Sequence, residues 1–459
     1  MVKEMRLDWT PWPLHKQSCT CAKFFVCILL IGFSFRLLFS HAGGFLPVSE
    51  PANAPREELP VDVKGGKSQT DSSSPEKSDG VQTSVPEMAL DVEDEVSRKE
   101  KCDLFTGEWI PNPSGPVYTN ESCLVIEGHQ NCLKNGRPDT GYLYWRWKPL
   151  GCDLPVFDPE RFLDAMRNKS WAFIGDSISR NHIQSLVCLL SKLTKVTHLA
   201  QQEDKGTEIY HDAEYRSKKW RFSSYNFTLA IIWSPFLVKA EIFEDMNGVS
   251  SKDIQLHLDT LDRKWTAEFM NFDYIVIAGG KWYLKTAVYW ENGTIVGCHY
   301  CPGKNLTERG FDYAYRKGIG LVLNHLTKSG HKGTVLFRTS TPDHFENGEW
   351  WSGGTCNRTS PFKEGEVTIR DVDQVMRSIE LEEFNRAVAA ASAKSVRLKL
   401  LDTTHLSLLR PDGHPGPYRT FQPFAKDKNA KVQNDCLHWC LPGPIDSWND
   451  ILMQMALRE

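Results

Sequence analysis

Two short spans hold residues that could carry out nucleophilic chemistry. The first is "SWAFIGDSISRNHIQSL", Ser170 to Leu186, where four apolar residues run into Gly175, Asp176 and Ser177 and a helical pattern follows at once. A serine there would stand at the carboxyl edge of a sheet, beside a helix N-terminus that favours developing negative charge. Many strand-to-helix turns carry Gly and Asp with no chemical role, so the serine needs a general base from elsewhere. The second span, "NDCLHWCLPGPIDSWNDIL", carries Asp435 and His438 three residues apart. That spacing predicts both side chains on one side of a helical turn. Asp435 would fix the imidazole tautomer and leave the other ring nitrogen for Ser177. Asp-x-x-His alone is common by chance, and its plain reading is a turn cap beside a surface histidine. His414 in "RPDGHPG" is the rival base, with Asp412 as its carboxylate. Asp176 is expected to shape the turn.

The surrounding pattern says what must position these groups. "WAFIGD" reads as a buried strand and "SRNHIQSLVCLLSKL" as an amphipathic helix. "RFSSYNFTLAIIWSPFLV", "FDYIVIAGG", "GTVLFRTSTP" and "VRLKLLDTT" supply further strands, and "DVDQVMRSIELEEFNRAVAAASAK" is the longest helical stretch. Apolar strands separated by helices predict an α/β fold with a mostly parallel sheet covered on both faces. Ligands gather at the carboxyl ends of such strands, where Ser177, Gly279, Gly280, Thr339, Ser340 and Thr341 fall. Residues 102–152 are dense in Cys, Gly, Pro and Trp without a long helical period. They read as a compact lobe stapled by disulfides and lying against the α/β region.

The rest of the chain sets the compartment. "FFVCILLIGFSFRLLFSHAGGFL", Phe24 to Leu46, is apolar apart from Arg36 and His41, and Lys3, Arg6, Lys16 and Lys23 precede it. This predicts a transmembrane signal anchor with a cytoplasmic N-terminus. A cleaved signal peptide ending near Ala42 is the competing reading. From Pro51 to Glu100 there is no Phe, Trp, Tyr or Cys, as expected of a disordered stem. Beyond the anchor lie ten of thirteen cysteines and six glycosylation sequons, at Asn120, Asn168, Asn226, Asn292, Asn305 and Asn357. An oxidising lumen makes disulfides the default. Zinc is the alternative at Cys298-His299-Tyr300-Cys301 and around Cys436, His438 and Cys440, although catalysis would need His438 free. The net charge of −4 gives no electrostatic case for nucleic acid. Aromatic residues make up 11% of the chain and suit sugar stacking, but each one is equally a core candidate.

Taken together, Gly-Asp-Ser at an early strand end and Asp-x-x-His near the carboxyl end resemble the SGNH/GDSL hydrolase arrangement. The Gly-x-Ser-x-Gly elbow is absent, which argues against an α/β-hydrolase. The tail, anchor and stem, with "KCDLFTGEWI", "NGRPDTGYLYWRWKP", "GDSISRNHIQSL", "TSTPDHFENGEWWSGGTC", "RPDGHPGPY" and "DCLHWCLPGPIDSWNDIL", resemble the plant trichome birefringence-like family from Lys101 to Glu459. The resemblance implies a Golgi polysaccharide O-acetyltransferase with an SGNH/GDSL-like three-layer sandwich. Ser177, His438 and Asp435 would be its triad. "GCHYC" and "RWKP" look most like the altered-xyloglucan members, which acetylate galactosyl side chains of xyloglucan. The implied organisation is a tail (1–23), anchor (24–46), stem (47–100) and lumenal catalytic domain (101–459). That domain divides into an N-terminal lobe (101–155) and an SGNH-like core (170–459).

The resemblance has one departure. Many members carry Asn-Thr-Gly-His-Trp-Trp where this chain has Ala278-Gly279-Gly280-Lys281-Trp282-Tyr283. The amide often used for an oxyanion is missing, which leaves the N–H groups of Ser177 and Gly280 as donors, with Asn181 or Arg180 assisting. Acceptor contacts are expected from Trp282, Tyr283, Trp350, Trp351, Arg338 and His344. No bound cofactor or metal is expected, and acetyl-CoA or an acetylated intermediary would be the donor. The expected disulfides are Cys102 with Cys152, Cys123 with Cys188, and Cys436 and Cys440 with the region of Cys298, Cys301 and Cys356. The same triad would serve transfer to another wall polysaccharide (xylan, mannan or pectin) or an acetylesterase. A non-catalytic polymer-binding protein, using Trp145, Trp147, Trp350 and Trp351 as a platform, is the remaining reading.

Overall fold

A computed structural model describes residues 102–192, 194–197, 200–203, 206–244, 250–391 and 396–458. The expected tail, anchor and stem lie outside the described residues, among which no helix is long and apolar enough to cross a membrane.

A seven-stranded sheet organises the described chain. Its strands are β3 (Ser170–Gly175), β4 (Thr207–His211), β5 (Lys218–Phe222), β6 (Phe227–Trp233), β7 (Tyr274–Ile277), β8 (Thr334–Arg338) and β9 (Arg397–Leu401), in the order β9-β8-β7-β3-β6-β5-β4. From β9 to β6 all pairings are parallel, and β5 and β4 close one side as antiparallel strands. The register aligns Ile174 with Ile277, Ile277 with Phe337, and Gly175 with Trp233. Ser177, Gly279, Gly280 and Thr339 therefore emerge at one carboxyl edge.

Side chains alternate across this sheet, as a period of two requires. Trp171, Phe173, Leu229, Ile231, Val276 and Leu336 form one core with helices α1 (Ser177–Leu190) and α4 (Asp446–Leu457). Ala172, Ile174, Ile232, Ile275, Ile277, Val335 and Phe337 form the other with α2 (Gly310–Lys328) and α3 (Asp371–Ala390). The sheet thus lies between two apolar layers, as the alternation of elements predicts. A four-stranded sheet, in the order 294–299, 287–291, 254–261, 238–241, adds to the second layer.

The N-terminal lobe is the antiparallel pair β1 (Asp103–Pro111) and β2 (Trp145–Leu150), joined by loops and short 3-10 turns. It packs on the carboxyl-terminal segment. Trp109 Nε1–H donates to Leu406 O at 2.9 Å, and Arg137 donates to the carbonyls of His414 and Asp412 at 2.7 and 2.6 Å.

Five disulfides close the described chain. Cys102–Cys152 and Cys123–Cys188 match expectation, and Cys436 joins Cys356. Two others correct it. Cys440 pairs with Cys132, tying the lobe to the carboxyl-terminal loop, and Cys298 pairs with Cys301. Cys298 and Cys301 also lie with the Glu308 carboxylate within reach of one metal ion. Of the sequon asparagines, Asn168, Asn226, Asn292, Asn305 and Asn357 are exposed and Asn120 is half-buried.

The Cys132–Cys440 bridge spans 308 positions and sits two residues from His438. Cys440→Ser should cost roughly 2–5 kcal/mol in reversible denaturation, in the range for losing a native disulfide. An unchanged midpoint under non-reducing conditions would show that this bridge does not constrain the unfolded chain.

Candidate active site

The turn at Ser177 is built for close approach. Gly175 has φ +154°, and a Cβ there would lie 2.5 Å from Ser179 Oγ and 2.6 Å from Ala278 O. Only glycine lets β3 pass this close to β7. Asp176 then caps α1, with Oδ1 accepting the Ile178 N–H at 3.0 Å. The expected structural role of Asp176 is what the geometry provides. A Cβ on Gly280 would stand 2.8 Å from Asp176 Oδ2, so the chain after β7 lies directly against the turn. Ser177, the first helical residue, is half-buried.

Beneath the turn Arg338 is buried and answers the charge of Asp176. Burial raises the Asp176 pKa and Arg338 opposes that rise. Arg338 also donates to Ser179 Oγ at 3.4 Å, and Glu380, buried and raised to about 7 by its burial, lies on its other side.

Asp435 and His438 meet, although not on a helical turn. Asp435 lies in a β-bridge with Gly416, and its Oδ1 accepts the main-chain N–H groups of Leu437 at 3.2 Å and His438 at 3.0 Å. A carboxylate-closed turn takes the place of the expected helical one, because the side chain offers the acceptor that a helix would take from the main chain. His438 Nδ1–H donates to Asp435 Oδ2 at 2.9 Å, with Oδ1 at 3.1 Å. Burial alone would raise the Asp435 carboxyl, but the His438 ring and these N–H groups hold it far below the usual carboxylate range. Proton donation from Nδ1 leaves the lone pair on Nε2. That nitrogen is buried and has no hydrogen-bond partner, so it makes none with Ser177.

A matched pair of hydrogen bonds joins the two halves. Asn181 Nδ2 donates to Trp439 O at 3.2 Å, and the Trp439 N–H donates to Asn181 Oδ1 at 2.7 Å. Asn181 lies one turn after Ser177, and Trp439 follows His438. Both ends of the amide hold the loop, which gives Asn181 a positioning role beside the oxyanion role expected of its second N–H. Arg180 fits that role better. It is half-buried, its guanidinium lies 5.1 Å from the Trp233 ring centre, and its Nε is buried without a partner.

The rival base is excluded by its bonds. His414 is buried and stacked on Trp439 with ring centres 4.3 Å apart. Its Nδ1 donates to His438 O at 2.7 Å and its Nε2 meets His344 Nδ1 at 2.7 Å. Neither nitrogen is left for a substrate. His129, from the N-terminal lobe, was not singled out by sequence. Its ring stands 6.0 Å from that of His438, edge to face, and the only sequence signal was its place in a Cys-rich span.

The acceptor candidates divide. Tyr283 is buried and donates to Phe236 O at 2.6 Å. Arg338 and His344 are also buried, at 1% and 8% exposure, and bonded as above. These three are core residues, contrary to expectation, because the segments after their strands fold back over them. Trp282 is half-buried, 5.6 Å from Trp233, and so reaches the Arg180 side of the site. Trp350 and Trp351 are exposed at 47% and 70%. Their loop is anchored by Glu349 to Arg370 at 2.7 Å, by Arg370 to Asp343, and by Asp343 to Lys281 at 3.0 Å. Trp147, at 1% exposure, cannot serve a binding platform, and Trp145 is half-buried.

Comparison with known proteins shows the family. Residues 154–455 match the GDSL/SGNH-like acyl-esterase family found in Pmr5 and Cas1p, and residues 100–153 match the PMR5 N-terminal domain. The chain is 53% identical to protein trichome birefringence-like 25 of Arabidopsis thaliana over 464 residues, covering 100% of this chain and 97% of that protein. It is 59% identical to trichome birefringence-like 26 of the same plant over 361 residues, 78% of each chain. It is 43% identical to xyloglucan O-acetyltransferase 1 of Arabidopsis thaliana over 366 residues, 80% of this chain and 82% of that one. With an acyl-esterase domain over most of its length and relatives that align along the whole chain, the protein belongs to the trichome birefringence-like family.

Proposed function

We propose that the protein is a polysaccharide O-acetyltransferase that works through an acetyl-Ser177 intermediate. The observation that carries this reading is the His438 ring, whose Nδ1 is bound to Asp435 and whose Nε2 is buried and unpartnered, on a loop clamped to the helix that begins at Ser177. A buried imidazole lone pair without a donor is costly unless a reacting group supplies one.

In the first step Ser177 Oγ attacks the acetyl carbonyl carbon while His438 Nε2 takes its proton. Asp435 stabilises the resulting imidazolium. The main-chain N–H groups of Ser177 and Gly280, with Arg180, answer the charge on the carbonyl oxygen. The tetrahedral adduct collapses, the donor's leaving group departs with the proton from His438, and acetyl-Ser177 remains. In the second step a sugar hydroxyl attacks the acetyl carbon. His438 takes the hydroxyl proton and returns it to Ser177 Oγ as the acetylated sugar leaves.

Among acceptors we favour galactosyl hydroxyls of xyloglucan side chains. The relatives named xyloglucan O-acetyltransferase support that choice, as do the "GCHYC" and "RWKP" segments. Trp282 and the Trp350–Trp351 loop would stack on the polymer. The donor would be acetyl-CoA or an acetylated intermediary. The apolar run at 24–46 would hold the protein as a single-pass type II protein of the Golgi membrane, with the stem at 47–100 and the sequons in the lumen.

Three measurements test this reading. Detergent-solubilised protein given labelled acetyl donor and separate glycans should transfer label to xyloglucan rather than to xylan, mannan or pectin. Ser177→Ala should abolish acetylated enzyme and product while the protein stays folded. His438→Ala should cost on the order of a thousandfold and Asp435→Ala somewhat less. Normal transfer by Ser177→Ala would end the mechanism, and release of acetate alone with every acceptor present would make the protein an esterase.

Asn181→Ala should lower turnover about a hundredfold by loosening the loop that holds His438, with the triad intact. It should also cost roughly 1–3 kcal/mol for the unpaired main-chain groups of Trp439. Full activity at unchanged stability would show that the loop is held by other means. The pH dependence of stability gives a further check. Because the Asp435 carboxyl is depressed by folding, its contribution is complete above the unfolded value of about 3.9 and is lost as pH falls below it. Asp435→Asn should flatten that acid-side loss in thermal unfolding.

A further inference from the structure

His344 and His414 sit end to end behind the His438 loop. His414 Nδ1 lies 2.7 Å from His438 O, His414 Nε2 lies 2.7 Å from His344 Nδ1, and His344 Nε2 lies 2.9 Å from Leu408 O. Both outer partners are carbonyls, which only accept. The outer contacts therefore require N–H on His414 Nδ1 and on His344 Nε2. If both rings were neutral, those two protons would use up the supply, and the two inner nitrogens would present lone pairs to each other across 2.7 Å. One further proton turns the inner contact into a hydrogen bond.

We propose that His344 and His414 form a singly protonated imidazole–imidazolium pair that pins the His438 loop, so that a proton buried behind the general base sets the upper pH limit of the site. The part concerning the base rests on the reading of His438 given above. The proton count does not.

The surroundings can hold this charge. Trp439 stacks on His414 with ring centres 4.3 Å apart and an interplanar angle of 26°, and an aromatic face attracts a cation. Asp343 and Asp412 act on His344, and Asp435 and Asp343 act on His414, each favouring the charged form. Lys281 opposes it at His344. Arg370 and Lys281 share Asp343, and Arg410 is paired with Asp412 at 2.8 Å. Arg137 donates to His414 O at 2.7 Å, and Phe362 closes the His344 side. Burial works against any charge here and lowers both rings. It bears hardest on a fourth proton, which would set two N–H groups against each other. Burial and the neighbouring His344 together push His414 down to about 3. The pair thus refuses a second proton, while the one it holds is required by the contacts at both ends.

The facing lone pairs would have to part if the proton left, so the 2.7 Å contact holds the proton against the burial that lowers both rings, and the contact is lost when it leaves. When the proton leaves, the inner contact becomes repulsive, and the carbonyl of His438 loses a fixed anchor.

The test counts protons directly. The full chain, labelled with 15N in histidine and solubilised in detergent, is studied by NMR at a pH where it is active, with His344→Gln used for assignment. A scalar coupling across His344 Nδ1–H–His414 Nε2 and a single unprotonated nitrogen shared by the two rings are expected. One unprotonated nitrogen on each ring would overturn the proposal. The readout needs no turnover, so it stands apart from the acetyl-transfer reading, and Ser177→Ala should leave it unchanged. His344→Gln supplies two neutral N–H donors, for His414 Nε2 and for Leu408 O. In wild type kcat/KM should fall tenfold per pH unit on the alkaline side as the shared proton leaves. In His344→Gln this limb should flatten across that range. An alkaline limb that survives unchanged in the folded variant would assign it to another group, and an equal loss at every pH would reduce His344 to a packing residue.

Discussion

Two hydrogen bonds between the Asn181 amide and the Trp439 main chain fix the distance between the serine half and the histidine half of the site. Their partners lie 258 positions apart, so no local structure can set this spacing. The amide suits the task because it donates and accepts in one plane, as a main-chain unit does. Both groups are fully buried, so neither can exchange its partner for water without a large cost. The placement of the whole carboxyl-terminal loop then depends on Trp439. Its ring carries His414, and its main chain comes directly after His438. The flanking cysteines attach the same loop to two distant places, Cys356 on one side and Cys132 on the other.

Much of this architecture was legible from local pattern. Gly-Asp-Ser after four apolar residues identified the strand, the turn and the helix, because a buried parallel strand and an N-cap each leave a short signature. The association of Asp435 with His438 was legible from their spacing, but its geometry was not. A carboxylate can close a three-residue turn as well as a helix can, and sequence does not distinguish the two. The helix Gly310–Lys328 left a weak signal because Gly318 and Gly320 interrupt its propensity. The structure gives the reason for Gly318, where a Cβ would lie 2.1 Å from Tyr283 Oη. Disulfide pairing was partly hidden, since Cys132 and Cys440 meet only after the whole sheet has formed.

The N-terminal lobe is part of the site rather than a cover for it. Cys132 bonds Cys440, Gln130 O accepts the Leu441 N–H at 2.9 Å, and Asn135 donates to Tyr418 O at 2.7 Å. His129 then stands at the edge of the His438 ring. Burial, followed by the neighbouring His438, lowers His129 to about 4, so this ring brings no positive charge to compete with an imidazolium at His438. A lobe that only shielded the core would not need to reach the carboxyl-terminal segment through a disulfide, a main-chain bond and a side-chain amide at once.

The fate of the strand-end residues explains where a polymer can approach. In an open parallel sheet every carboxyl end is a candidate ligand site, but a strand end is available only if the following segment leaves the edge. After β8 the chain turns back, and Thr339, Ser340 and Thr341 are buried, with Thr339 and Ser340 in bonds to Asp402, Glu380 and Thr404. Arg338 is thereby sealed between Asp176 and Glu380, where it neutralises the carboxylate that shapes the serine turn. After β7 Gly279 and Gly280 are buried, with Gly280 against Asp176, and Lys281 and Trp282 that follow are half-buried. Lys281 is drawn away by Asp343 and Asp373. That pull carries through Asp343 and Arg370 to Glu349 and orients the Trp350–Trp351 loop. Half-buried Arg180 and Trp282 both pack on the buried Trp233 ring, and a chain of ion pairs links Lys281, beside Trp282, to the loop of the two exposed tryptophans.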